Sequence, residues 1–490
     1  YSMKEFSTDL RKVREYESEA LKGHSENKLP VFHMKVPMGW MNDPNGFSLY
    51  EGDYHLFFQY HPYSREWGSM HWGHVKSQDF IRWEHLPVAL APDQVYDKEG
   101  CFSGTAIEDN GKHILAYTSV YYEDGIEEPD KIRQTQSIAI GDGENYTKQE
   151  NNPVIDKKLL PEGASLVDFR DPKIFKSHGS YNMIVANRDR DGRGQLLKFE
   201  SADLKKWQYM GVFYKPEKKL GRMWECPDYF ELEDTKVLLV SPQDMEAEGL
   251  QYHCGNGSLY LTGKEREGHF CEDYIDCLDY GIDFYAPQSL LTKDGRRVMT
   301  AWMQSWDVNS YPEDFIWRGM MICPRELHLE DGKIRQTPVR ELKQYWKNEI
   351  SFEKIKVSGA VSLEGIRGRV LDLTITIRDM CCDAVEIRLA KKDKKYISIA
   401  YQPKQQLLTF DRKYMQCIRD IVNERKVELT KRSDAITLRI LLDIYSIEIF
   451  MNNGEKTLTS LYFMQDDYDG IEFVSYGGYC EMDICKRDIY

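Results

Sequence analysis

Asp43, Asp171 and Glu225 are carboxylic acids that recur at one place in a repeated pattern, and such a set suits acid–base and nucleophilic work on a glycosidic bond. Each lies 8 to 9 residues ahead of a turn, at Gly52, Gly179 and Asp234 respectively. Ser103 and Tyr285 hold the matching place 8 and 10 residues before the turns at Gly111 and Gly295. Taken singly, Asp43-Pro44-Asn45-Gly46 and Asp171-Pro172 are ordinary turn formers, because proline pre-sets φ and Asn or Gly tolerates the left-handed region. Equivalence across repeats changes that reading. Three acids gathered in one place are costly unless function keeps them there. Glycoside hydrolysis needs one carboxyl to attack or to activate water and another to protonate the leaving oxygen, at ~5–5.5 Å separation for retention and ~6.5–9.5 Å for inversion. Trp40, Trp67, Phe102, Tyr285, Trp302 and Trp306 flank the motifs and offer ring faces for a sugar to stack on.

These residues need a scaffold that brings distant segments together. The repeated unit is a polar motif, a short strand, a Gly, Asn or Asp turn and a second strand, and it occurs five times. The turns follow one another at intervals of 55 to 68 residues, room for four short strands each. An all-β, five-bladed β-propeller is predicted, with the motifs arriving at one end of the axial channel. A short N-terminal helical arm occupies 1–30, the propeller 31–335 and a polar linker 336–350. A second, antiparallel domain follows over 351–490, most simply a β-sandwich. There Leu371, Leu373, Ile375 and Ile377 alternate along one face, as do Ile436, Leu438, Ile440 and Leu442, and an Asn452-Asn453-Gly454 turn follows. This domain carries no obvious chemistry and reads as structural. Docking of the arm on the propeller and self-association through the arm or the sandwich are both open.

The 490 residues carry a net charge of −15, which disfavours a nucleic-acid backbone, and no apolar stretch approaches a membrane span. A small neutral or sugar-like substrate fits better. The motifs contain no His or DxDxDG spacing for a metal, so neither metal nor cofactor is expected. The eleven cysteines stand mostly alone, and the charged start of the chain lacks a secretory apolar core; together they point to a reducing cytoplasm.

GWMNDPNG from Gly39, FFQY from Phe57, WGSMHWGHVKSQDFIRWEHLPVALAP from Trp67, GCFSGTA from Gly100, FRDP from Phe169, ECPD from Glu225, DFYAPQ from Asp283 and PRELHL from Pro324 resemble glycoside hydrolase family 32. DIYSIEIF from Asp443 resembles its C-terminal signature. That family contains invertases, sucrose-6-phosphate hydrolases and exo-acting fructanases. The resemblance implies a retaining β-fructofuranosidase: Asp43 as nucleophile, Glu225 as acid/base, and Asp171 as transition-state stabiliser holding fructose hydroxyls with Arg170. It implies a fructose subsite lined by Asn42, Gln59, Trp67, Phe102 and Ser103. Glu225 is then expected to be protonated and Asp43 ionised at rest, with charge repulsion raising the pKa of one member. The family's Gly-Trp pair is replaced by Ala301-Trp302, which leaves open whether Trp302 or Trp306 faces the sugar. Fructosyl transfer, exo-fructanase action, an inverting propeller glycosidase and a non-catalytic sugar-binding propeller are the alternatives.

Overall fold

The computed structural model describes residues 6–23, 29–36, 38–415, 421–430 and 434–490. Five antiparallel sheets of four sequential strands stand in a ring, the five-bladed propeller. Their inner strands are Gly39–Tyr50, Gly100–Asp109, Phe169–Ser177, Met223–Leu232 and Tyr285–Leu291, and they pack against one another around the axis. The ring closes where Trp317 and Arg318, contributed by the fifth repeat, pair in parallel with Gly39 and Trp40 of the first blade.

The motifs lie inside these inner strands rather than ahead of them. Pairing between each inner strand and its neighbour slips beside the motif: between Met41 and Pro44, Phe102 and Gly104, Glu225 and Asp228, Tyr285 and Gln288, and opposite Arg170 to Lys173 in the third blade. A bulge of this kind re-aims a side chain that a regular pleat would send into the sheet. The backbone shows the cost. Asp171, Cys226 and Ala286 hold φ of 68°, 50° and 55°, a region that residues with a Cβ seldom occupy. At Gly104 only glycine fits, since a Cβ would stand 1.8 Å from the carbonyl oxygen of Ala116.

Polar side chains bind neighbouring inner strands together. Gln288 donates to the carbonyls of Pro44 (3.1 Å) and Gly104 (2.9 Å) and accepts from the Phe47 amide (3.0 Å), tying three blades. Asp228 receives Lys173 at 2.7 Å and the Ser289 hydroxyl at 2.6 Å, tying the third, fourth and fifth blades. These bonds link all five inner strands across the axis and offset part of the desolvation penalty of burying the groups that make them.

A 3₁₀ turn, Arg340–Tyr345, joins the propeller's last strand, Lys333–Pro338, to the first strand of the second domain, Trp346–Val361. Two long strands, Trp346–Val361 and Gly470–Ile489, pair over most of their length and make the sandwich one continuous ten-stranded sheet. The expected alternation is in place: Leu371, Leu373, Ile375 and Ile377 are buried and paired with Leu442, Ile440, Leu438 and Ile436.

Helix α1 (Thr8–Lys22) is capped by the Ser7 hydroxyl. It docks on the propeller: Leu10 and Val13 are buried, Arg14 donates to the Val88 carbonyl (2.9 Å) and to Asn145 (2.8 Å), and Glu17 pairs with His85 (3.0 Å). The remainder of the expected arm includes residues 1–5 and 24–28, outside the described residues.

The sandwich is welded to the propeller by buried charges. His33 lies between Asp443 (2.8 Å) and Glu448 (2.6 Å), the two acids of the DIYSIEIF segment, and Arg325 reaches Glu448 (3.1 Å) and Asp279 (3.2 Å). Burial alone would lower the pKa of His33, but the two carboxylates outweigh it and hold it at about 9. A histidine whose native pKa exceeds its usual 6.5 adds stability that is complete below 6.5 and is lost as pH rises through 9. Melting temperature is therefore expected to fall between pH 7 and 10. His33→Ala, which leaves two buried acids without their cation, is expected to cost about 3–5 kcal/mol at pH 7 and to flatten that decline; thermal melts across the range check both.

Candidate active site

The bulges deliver Asp43, Asp171 and Glu225 from the first, third and fourth inner strands to one end of the channel. Cys226 marks how close they come: its sulfur is 3.4 Å from Asp43 Oδ2 and 3.4 Å from Asp171 Oδ2, and its backbone N–H donates to Asp171 Oδ2 at 2.9 Å. Ser103 donates to Asp43 Oδ2 at 2.8 Å. Asp43 Oδ1 is buried and has no hydrogen-bond partner. One oxygen of Asp43 is therefore anchored and the other is uncommitted.

Glu225 is held differently. Arg170 donates to it at 2.7 Å, Gln243 at 2.8 Å and Tyr285 at 2.6 Å. Arg170 is itself fixed by Asp168 (2.8 Å), Gln134 (3.2 Å) and Gln243 (3.3 Å). Burial, and then the charge of Glu225, push the carboxyl of Asp43 above the usual range, against the donors Ser103, Cys226 and Asn42. Asp171 is raised by the same two causes in the same order, against Arg170. Burial and the neighbouring negative charge thus raise both Asp43 and Asp171.

The aromatic residues divide into two sets. Trp67, at 48% exposure, meets Phe102 edge to face at 6.0 Å. Trp306, at 39%, stacks on Trp40 at 6.2 Å, and Trp40 bonds Asn42 at 2.9 Å. Trp302 corrects the expectation of a sugar contact. It is fully buried, edge-on to Trp40 (6.0 Å), Trp306 (5.0 Å) and Tyr285 (6.3 Å), so it supports the wall and presents no face to a ligand. Tyr285 is likewise fully buried and acts on Glu225 through its hydroxyl. Of the two tryptophans left open by the Ala301-Trp302 replacement, Trp306 is the solvent-facing one. Gln59, buried, donates to the carbonyl of Cys101 at 2.9 Å, which holds the backbone next to Phe102 and Ser103.

Sequence reasoning missed Cys226, Gln243, Asp168 and Gln134. Cys226 stood in plain view beside Glu225, but its role appears only when two other blades bring their acids to its sulfur. Cys226→Ala removes a donor that holds the pKa of Asp43 down, so the acid limb of the pH–rate profile is expected to move to higher pH, with kcat/KM about tenfold lower at pH 6. Initial rates from pH 4 to 8 measure it.

A propeller end that gathers three buried carboxyls, an arginine and solvent-facing tryptophans defines the class: a carbohydrate-cleaving enzyme. Residues 33–338 match the glycosyl hydrolases family 32 N-terminal domain and residues 341–487 its C-terminal domain. The chain belongs to glycosyl hydrolases family 32, and it is a glycoside hydrolase of the β-fructofuranosidase type. It is 35% identical over 447 residues to a sucrose-6-phosphate hydrolase of Escherichia coli, covering 89% of this chain and 90% of that one. It is 36% identical over 442 residues to a raffinose invertase of Escherichia coli, with the same coverage. A GH32 beta-fructofuranosidase of Bombyx mori superposes with a TM-score of 0.84 at 30% identity, covering 98% of each chain, and a variant of that enzyme is known in complex with sucrose.

Proposed function

We propose that this enzyme releases the terminal β-D-fructofuranosyl unit of sucrose, sucrose-6-phosphate or short fructo-oligosaccharides with retention of configuration. The observation that carries the residue roles is the asymmetry of Asp43, whose Oδ2 is anchored by Ser103 and Cys226 while Oδ1 is uncommitted. Oδ1 attacks the anomeric C2; the bond from C2 to the leaving-group oxygen breaks, and that oxygen takes the proton of Glu225. Water then attacks C2 and gives its proton to Glu225, and the Asp43 ester bond breaks. Two inversions give net retention. Asp171, within reach of the same sulfur as Asp43, holds sugar hydroxyls with Arg170, and Trp67, Phe102 and Trp306 wall the sugar.

Likeness to sucrose-6-phosphate hydrolases supports a cytoplasmic place of action, as does the absence of disulfides among the ten described cysteines. No described helix is long and apolar enough to cross a membrane. The test is incubation with sucrose and sucrose-6-phosphate, with the first-formed anomer read by NMR. β-Fructofuranose as the first product is the expected result; the α anomer would exclude the double displacement.

A further inference from the structure

Around Glu225 the side chains form a chain that leads outward. Asp168 holds Arg170 on one carboxylate oxygen at 2.8 Å and the Nε of Arg188 on the other at 2.8 Å. Arg188 closes the second strand of the third blade, Ser180–Arg188, whose Ala186 lies opposite Arg170 in register, so it stands at the same end of the propeller as the acids. Its Nε is buried on Asp168, its side chain is 35% exposed, and among the described residues no hydrogen bond or ion pair takes up its two terminal nitrogens. Arg222 stands beside it: its backbone N–H donates to the Gln243 carbonyl at 2.9 Å, its side chain pairs with Asp244, and its charge also acts on Asp168.

This arrangement matters because the rest of the molecule disfavours a charged substrate. The chain has a net charge of −15, and three of its carboxyls are gathered in the site. A phosphate monoester brought near them is repelled unless cations stand where it lands. The leaving group departs on the side of Glu225, since that residue supplies its proton, and Arg188 and Arg222 connect to that residue, the first through Asp168 and Arg170 and the second through Gln243. A planar guanidinium with both terminal nitrogens uncommitted is suited to bidentate capture of phosphate oxygens. Anchoring its Nε on Asp168 lowers the entropy lost on binding.

We propose that Arg188, supported by Arg222, is the phosphate-recognition residue of the leaving-group side and selects a phosphorylated disaccharide over the neutral one. The inference rests on the β-fructofuranosidase reading above. The experiment measures kcat/KM for sucrose-6-phosphate and for sucrose in the full-length enzyme, in Arg188→Gln, in Arg188→Lys and in Arg222→Gln, with thermal melts alongside. The ratio of the two kcat/KM values, phosphorylated over neutral, is expected to fall about 10- to 100-fold in Arg188→Gln, less in Arg222→Gln, and least in Arg188→Lys. Glucose-6-phosphate is expected to inhibit sucrose hydrolysis by the unaltered enzyme and to lose that inhibition in Arg188→Gln. Because the ratio is the readout, any indirect effect through Asp168 and Arg170 cancels. An unchanged ratio overturns the proposal and leaves the fructosidase reading intact, as does an unaltered enzyme that prefers sucrose. Hydrolysis of neither sugar by the unaltered enzyme overturns both. If Arg188→Gln does not fold, the Arg222→Gln ratio and the glucose-6-phosphate inhibition decide.

Discussion

Asp43→Asn is expected to lose at least about 10⁴-fold in kcat on sucrose while becoming more stable at neutral pH. The loss follows from removing the only oxygen in the cluster that is both buried and uncommitted, because an amide cannot form the fructosyl ester. The gain follows from the charge. Burial and Glu225 raise the native pKa of Asp43 above its ordinary 3.8, so the folded state holds the proton more tightly than the unfolded chain does. Stability from this group is therefore complete below 3.8 and is lost as pH rises through the raised native value. Asparagine carries no such charge, so denaturant unfolding at pH 7.5 is expected to show a gain of about 1–3 kcal/mol that shrinks towards zero near pH 4. An equal change at both pH values would mean that packing, rather than charge, governs the site. The result would place Asp43 among residues retained for chemistry at the expense of stability.

Glu225→Gln is expected to divide substrates by their leaving groups. On sucrose, whose departing alkoxide needs a proton, kcat is expected to fall about 10²–10⁴-fold. On an aryl fructoside with a good leaving group the first step needs little help, so the fructosyl-enzyme forms and accumulates, and a burst of aryl alcohol precedes a slow steady state. Equal losses on both substrates would remove Glu225 from the acid role. Tyr285→Phe deletes one of the three donors on that carboxyl and tests the same assignment from outside, with an expected loss of about tenfold in kcat on sucrose.

Much of this site was legible before any coordinates. Spacing of Asp43, Ser103, Asp171, Glu225 and Tyr285 at 8 to 10 residues from five turns marked them as corresponding positions, and a ring of corresponding positions converges by symmetry. Alternation at Leu371 to Ile377 marked a half-buried strand, because side chains on a strand alternate with a period of two. The pairing of Asp443 and Glu448 with His33 was not legible, since residues some 410 positions apart leave no local pattern. The interior place of Trp302 was hidden for a related reason: an aromatic residue beside a motif reads the same whether it faces sugar or core, and only the packing of Trp40 and Trp306 over it separates the two.

The amino-acid order alone pointed to the propeller, to three acids at corresponding positions and to glycoside chemistry, because repeats, turns and carboxyl chemistry are properties of residue type and spacing. Tertiary structure decided which oxygen of Asp43 stays uncommitted, that burial and a neighbouring acid raise both Asp43 and Asp171, and that Arg188 is held on Asp168 at the same end of the propeller as the acids. Those outcomes depend on bulges and on contacts between different blades. A hydrogen bond is set over tenths of an ångström by backbone segments that are neighbours only once the ring has closed.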